Sequence, residues 1–206
     1  MHILTGNTGK KTFVTKLMQA DIGRMFSKAV TSVYTNEKWG FDNGAYISWS
    51  NDTHWDGEKY LLRVERAYNI EPPPYMAVIP DKPTQPDSMD FSLYWLDVLP
   101  QDLNWYFALQ ENMSYEDVEE YICSDPRIKG LFLGGTHRYK ETFGEMYLEL
   151  AHKHGKLFHY ARTSSMEKLI QAKRMGCDSV DSSFFLFETR RLDAVCEWVL
   201  AGQPLP

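Results

Sequence analysis

Cysteine is scarce in this sequence, and long apolar runs and net positive charge are missing. Cys123, Cys177 and Cys196 are the only cysteines. Odd in number and far apart, they suit neither a disulfide framework nor a Cys-x-x-Cys zinc knuckle. No apolar stretch approaches the roughly 18 residues that a membrane span needs, and the N-terminus lacks a basic-then-apolar signal pattern. The expectation is therefore a soluble, cytoplasmic protein without membrane contact, in which the Asn-x-Ser/Thr sequons at Asn51 and Asn112 are chance matches. The formal charge of -6 has the wrong sign for a protein that coats nucleic acid non-specifically, and leaves room only for a local basic rim. A nucleotide-triphosphate loop is also missing. Gly6-Asn7-Thr8-Gly9-Lys10-Lys11-Thr12 follows a short apolar strand at 2–5 but lacks the Gly-x-x-x-x-Gly-Lys-Ser/Thr spacing that wraps phosphates.

What is present is enough apolar material for one packed domain: 206 residues, 43% hydrophobic and 14% aromatic. A helical stretch with Phe13, Leu17 and Ile22 follows the first strand, and residues 29–34 read as a second strand. Gly40-Phe41-Asp42-Asn43-Gly44-Ala45-Tyr46 reads as the start of a third, because Ile47 and Trp49 continue it at alternating positions. It sets a carboxylate, a flexible turn and a flat aromatic ring side by side, as a site for a planar ligand would. Plain turn chemistry is the alternative. Helical spacing over 58–70 precedes Pro72-Pro73-Pro74, and 75–80 is a continuous apolar strand stopping at Asp81. Asp87 or Ser88 can cap a helix over 89–99, and the strand at 105–109 stops at Gln110. Ser114 to Asp117 caps a helix to about Cys123. The strand at 130–133 stops at Gly134-Gly135-Thr136, and the helix after it ends at Gly155. Strands at 156–160 and 178–182 flank a helix that Ser164 or Ser165 caps and Gly176 ends, and a last helix runs through Val195 and Trp198.

Eight strands mostly separated by helices imply a parallel sheet, and eight can close. The expected fold is α/β, a compact single-domain (β/α)8 TIM-type barrel near the lower length limit of about 200 residues. The link between strands two and three is too short for a helix. In such barrels the polar strand ends gather at one mouth, which here converges Asp42, Asp81, Gln110, Gly134, Gly135 and Asp181.

These residues resemble a known family. Asp42-Asn43-Gly44-Ala45-Tyr46 resembles the Asp-Ser-Gly-Gly-aromatic motif of tRNA-guanine transglycosylases, and Gly176-Cys177-Asp178-Ser179-Val180-Asp181 resembles their Gly-x-Asp-x-x-Asp nucleophile strand. Val78-Ile79-Pro80-Asp81, Leu109-Gln110 and Leu133-Gly134-Gly135 fall between them in the order the family uses for base recognition. The match covers roughly residues 40 to 185. It looks closest to the compact DNA 7-deazaguanine transglycosylases of phages and bacterial modification clusters, on Gly-Gly-Thr with Lys140 and on Arg162 after strand seven.

The resemblance implies a base-exchange glycosyltransferase that replaces guanine in DNA with a 7-deazaguanine, with no metal or organic cofactor. Asp181 would be the nucleophile that holds the sugar and Asp42 the general acid/base. Asp81 and Gln110 would pair with the edge of guanine, the Gly134-Gly135 backbone with its carbonyl, and Tyr46 and Tyr160 with the ring faces. Arg138, Lys140 and Arg162 would contact the polynucleotide backbone. The tRNA enzymes carry a Cys-x-Cys-x-x-Cys…His zinc site that this sequence lacks, which turns the expectation toward single-stranded or locally opened DNA. The bacterial tRNA pattern has a Glu after Gly-Gly that suits an aminomethyl cation. Arg138 and Lys140 stand here instead and favour a free base bearing a nitrile, such as 7-cyano-7-deazaguanine. Alternatives are a tRNA-directed enzyme, a small-molecule barrel enzyme holding a phosphorylated metabolite, and a non-catalytic binding module; an oligomer is possible. Residue by residue, a strand-end Asp is commonly a turn or cap, and His137, His152, His154 and His159 read as surface or packing residues.

Overall fold

The computed structural model describes residues 1–28, 30 and 32–205. Eight parallel strands close into a barrel in sequence order: β1 (His2–Gly6), β2 (Gly23–Phe26), β3 (Gly40–Phe41), β4 (Met76–Val78), β5 (Trp105–Leu109), β6 (Ile128–Leu133), β7 (Leu157–Tyr160) and β8 (Ser179–Asp181). The last strand closes the ring by pairing Ile3 with Val180 and Leu4 with Asp181. Around it lie α1 (Lys11–Gln19), α2 (Ala45–Ser50), α3 (Gly57–Tyr68), α4 (Ser88–Val98), α5 (Tyr115–Asp117, continued by a π-helical turn to Cys123), α6 (His137–Lys153), α7 (Met166–Met175) and α8 (Thr189–Leu200). Side chains Ser114, Thr136 and Ser165 cap α5, α6 and α7, and Gly176 ends α7 in a left-handed conformation. No helix among the described residues is long and apolar enough to cross a membrane.

Alternation along the strands splits the core in two. Outward residues pack under the helices, with Trp39, Phe41, Trp105, Phe107 and Phe158 fully covered. Inward residues form a small plug of Leu4, Met25, Met76, Val78, Tyr106 and Ala108. Gly40 is glycine for a packing reason: a Cβ there would come within 2.8 Å of Met76 and 3.1 Å of the Met25 sulfur. The plug fills the barrel below the strands' C-terminal ends, so the mouth above it is where a ligand can sit.

Two expected strands lie elsewhere. The pairing partner of β1 is Gly23–Phe26 rather than 29–34; of that stretch Ala29 and Thr31 lie outside the described residues, and Val30 and Ser32 to Tyr34 belong to no strand. β2 itself, Gly-Arg-Met-Phe, carries a charge in its centre and so lacks the apolar run by which a buried strand is read. The third strand stops at Phe41, and residues 45–50 form α2, since Gly44 at φ +80° turns the chain and the Asn43 side chain accepts a hydrogen bond from the Ala45 amide at 2.7 Å. The alternation of Ile47 and Trp49 carried no burial; both are exposed.

No helix lies between β2 and β3 in the chain among the described residues, and a buried ion pair organises the link instead. Arg24 points outward from β2, 4% exposed at its side chain, and donates from Nε and Nη2 to the Glu37 carboxylate at 2.7 Å each and to the Ser32 carbonyl at 2.7 Å. Its guanidinium lies over Phe26 and Tyr34. Breaking such a pair strands one charge, whereas replacing both partners by apolar groups does not. In urea denaturation Arg24→Met is expected to lose about 3–5 kcal/mol and the double variant with Glu37→Leu clearly less. A single-variant loss below about 1 kcal/mol would make this an ordinary surface pair.

Candidate active site

The strand ends open into one cavity of about 700 Å³. Asp42, Asp81, Gln110, Gly134, Gly135, Tyr46, Lys140, Arg162 and Asp181 all line it, so most of the residues expected at the mouth are brought together there. Met25, Val78, Ala108 and Phe132 supply an apolar floor.

Asp42 and Asn43 form the turn after β3, and the backbone around them is fastened from behind. Arg63 on α3 donates to the Asp42 carbonyl at 2.6 Å, and the Trp55 indole donates to the Asn43 carbonyl at 3.0 Å. The buried Asn43 side chain uses its whole amide: Nδ2 donates to the Ile79 carbonyl and to Asp81 Oδ1, both at 2.7 Å, while Oδ1 takes the Ala45 amide. Asp81, 8% exposed, accepts a second amide at Oδ2, from Gln110 Nε2 at 2.5 Å. Each of its oxygens keeps a lone pair for a ligand N–H. Burial drives the Asp81 pKa up to about 7, offset by the two amides and reinforced by the charge of Asp42. Desolvation likewise raises Asp42, Asp181 adds to the rise, and the Gly44 amide and Arg63 oppose it.

Asp181 ends β8 and is held by one oxygen. Oδ1 accepts from His159 Nε2 at 3.0 Å and from the Arg162 amide at 2.9 Å, which leaves Oδ2 for the cavity. His159 on β7 is fully buried, stacked on Phe132 at 4.8 Å and 10°. Its Nδ1 meets the Ser179 hydroxyl at 2.9 Å. Since the ring must donate to the carboxylate from Nε2, Nδ1 accepts from Ser179. His159 is thus a packing residue, as expected, and also the orienting partner of Asp181, a role unseen in the sequence. The signal was there in principle: His159 is the central polar residue of an otherwise apolar strand, and Ser179 and Asp181 share one face of the next.

Some placements differ from expectation. Tyr160 does not line the cavity; it points outward, packed in the outer core beside Gly144 of α6. Inward and outward alternate along a strand, and His159 takes the inward place. Lys140 is no rim residue: it is 2% exposed, and its ammonium donates to the Ala161 carbonyl at 2.6 Å above the Tyr160 ring. Burial lowers its pKa to about 8. Arg138 lies exposed on the first turn of α6, outside the cavity lining. Arg162, at φ +53°, reaches across the mouth, donating to the Gly135 carbonyl at 2.9 Å and lying 4.0 Å over the Tyr46 ring. One face of Tyr46 is therefore already covered. Trp49, three residues on along α2, also lines the cavity with its ring 5.5 Å from Tyr46; it was missed because the segment read as a strand, where positions 46 and 49 face apart. The glycine-rich loop after β1 does not line the cavity.

No known family profile matches the sequence, and no curated protein does so either. The geometry therefore carries the chemistry: two carboxylates of different environment, Asp42 and Asp181, beside a third, Asp81, fixed between two amides.

A carboxyl whose pKa rises on folding binds its proton more tightly in the native state. Its contribution to stability is full below the ordinary carboxylate range and is lost as pH climbs toward about 7. The unfolding free energy of the wild type from urea denaturation should fall over that window by at most about 1.4 kcal/mol per pH unit for Asp81, with Asp42 adding in the same sense. Asp81→Asn should flatten the fall. An unchanged pH profile would mean that Asp81 titrates as an ordinary carboxylate.

Proposed function

We propose that the protein exchanges guanine in DNA for a free 7-deazaguanine base through a covalent glycosyl ester on Asp181. The observation that carries the reading is the Asp81 carboxyl, fixed between Asn43 and Gln110 on the wall of the cavity that Asp42 and Asp181 also line. A rigid carboxylate with two spare lone pairs matches the N1–H and N2–H donors of guanine, and the Gly135 amide would be the backbone donor to O6, since the Gly134 amide is bonded to the Phe132 carbonyl at 3.0 Å. The motif resemblance points to DNA as the polymer. His137, Arg162 and Lys168 supply basic groups near the mouth, His137 and Lys168 bonded to each other at 2.9 Å.

The steps balance without an oxidant or reductant. Asp181 Oδ2 attacks C1′ of the target nucleotide, the C1′–N9 bond breaks, and guanine leaves with a proton from Asp42. The incoming base returns a proton to Asp42 from N9, attacks C1′, and frees the Asp181 carboxylate. Burial raises the Asp42 pKa, which is the direction a general acid needs. His159 and the Arg162 amide fix Asp181 Oδ1, so the attacking oxygen has one orientation.

Asp181→Ala should abolish both exchange and any denaturation-resistant protein–DNA adduct, while Asp42→Asn slows release, stalls incorporation and accumulates the adduct. Exchange at wild-type rate by Asp181→Ala would remove it from the chemistry.

The target base must be flipped out or offered on a single strand, at about a few kcal/mol in duplex, and a chain of net charge -6 gives little global attraction. Mass spectrometry of nucleosides should find a 7-deazaguanine derivative such as 7-cyano-7-deazaguanine incorporated faster into single-stranded or locally opened DNA than into closed duplex, and little in tRNA. Incorporation into tRNA with none into DNA, at one salt concentration, would transfer the reading to a tRNA enzyme. Binding of phosphorylated metabolites without guanine would transfer it to small-molecule chemistry.

A further inference from the structure

Lys140 is a buried cation on the cavity wall whose partners do not neutralise it. The Ala161 carbonyl takes one of its three N–H donors and the face of Tyr160, 4.9 Å from Nζ, a second. Among the described residues Lys140 has no ion-pair partner within 4.0 Å. A buried ammonium without an anion is costly, and its third donor is left for whatever fills the cavity. The ligand should bring the missing acceptor.

The order of groups round the barrel says which part of the ligand that is. Asp81 follows β4, Gln110 follows β5, Gly134 and Gly135 follow β6, Lys140 reaches the carbonyl that follows β7, and Asp181 ends β8. Guanine carries its groups in the same cyclic order: the N2 and N1 donors, O6, N7, and then N9, where the sugar is attached. With N1 and N2 on Asp81 and N9 toward Asp181, position 7 falls at Lys140. We infer that Lys140 reads position 7 of the base by donating to an acceptor there, N7 of guanine or the nitrile or carbonyl of a 7-substituted 7-deazaguanine. The inference rests on the guanine-exchange reading. It implies that the cavity rejects a base with a bare C–H or an aminomethyl cation at that position.

The test is the binding of guanine, 7-deazaguanine, 7-cyano-7-deazaguanine and 7-aminomethyl-7-deazaguanine to the wild type and to Lys140→Met, by calorimetry. Wild type should hold guanine and the cyano base about tenfold or more tighter than 7-deazaguanine, because a donor without its acceptor is left unpaired. Lys140→Met should bring both down to the level of 7-deazaguanine, leave 7-deazaguanine unchanged and strengthen the aminomethyl base. A thermal melt checks the fold, which the loss of an unneutralised buried charge should leave intact. If that variant does not fold, Lys140→Gln, which keeps a neutral donor, should retain part of the preference for the cyano base. Equal weakening of all four bases, or no change in any, overturns the inference while the guanine reading stands. Wild type that binds none of the four overturns both.

Discussion

The Asn43 side-chain amide is the contact on which the β3 and β4 side of the site depends. With three hydrogen bonds it ties the turn after β3 to the end of β4, starts α2, and fixes one oxygen of Asp81. A carboxylate has no directional preference strong enough to choose this pose unaided. The amide does, because its donor and acceptor faces are distinct and all are used. Asp42, one residue earlier, inherits its position from the same turn, and Tyr46 and Trp49 inherit theirs from the helix that the turn begins. A serine at this place would reach fewer of these partners.

Asp181 is positioned by a separate apparatus on the opposite wall, and the two halves are joined only by the barrel and by Arg162. That residue gives its amide to Asp181, its guanidinium to the Gly135 carbonyl and the face of Tyr46. At 4.0 Å from the ring no aromatic ligand fits between them, since a stacked base needs about twice the thickness of one ring on that side. A planar ligand must use the other face of Tyr46 or displace the guanidinium. The left-handed backbone of Arg162 holds the side chain over the mouth at some local cost, of the kind concentrated at ligand sites.

Much of the barrel was legible because buried parallel strands are written as apolar runs that end in a polar residue. The runs at 105–109 and 157–160 and the stops at Asp81, Gln110 and Gly134 needed no tertiary information. Where the reading failed, local pattern and tertiary role diverged. β2 carries one charge in four residues because Arg24 faces outward to a loop where other strands face helices, and β3 is only two residues long, too short for any period. Among site residues, strand-end carboxylates stood out by chemistry. The burial of Lys140, read from the sequence as a polynucleotide-backbone contact, and the orienting role of His159 did not, because burial of a polar group is invisible until the neighbours are known. Tyr160 faces outward and His159 inward, a single step of strand alternation that motif order cannot resolve.

Three carboxylates round one largely apolar cavity raise the question of how it stays folded without a ligand. Each is handled differently. Asp181 spends one oxygen on a backbone amide and an imidazole and keeps partial contact with water, its side chain 20% exposed. Asp81 takes two amides, which are too few to offset its burial, so its pKa still rises to about 7. Asp42 is raised by burial first and by the charge of Asp181 second, with the Gly44 amide and Arg63 opposing the rise. A ligand edge rich in N–H donors would reverse part of this, lowering the Asp81 pKa by hydrogen-bonding its charged form. The same ligand, if it carries an acceptor on its other side, would relieve Lys140. The cavity is thus electrostatically incomplete in two opposite senses at once, and the proposed guanine, donor-bearing along one edge and acceptor-bearing along another, would complete both.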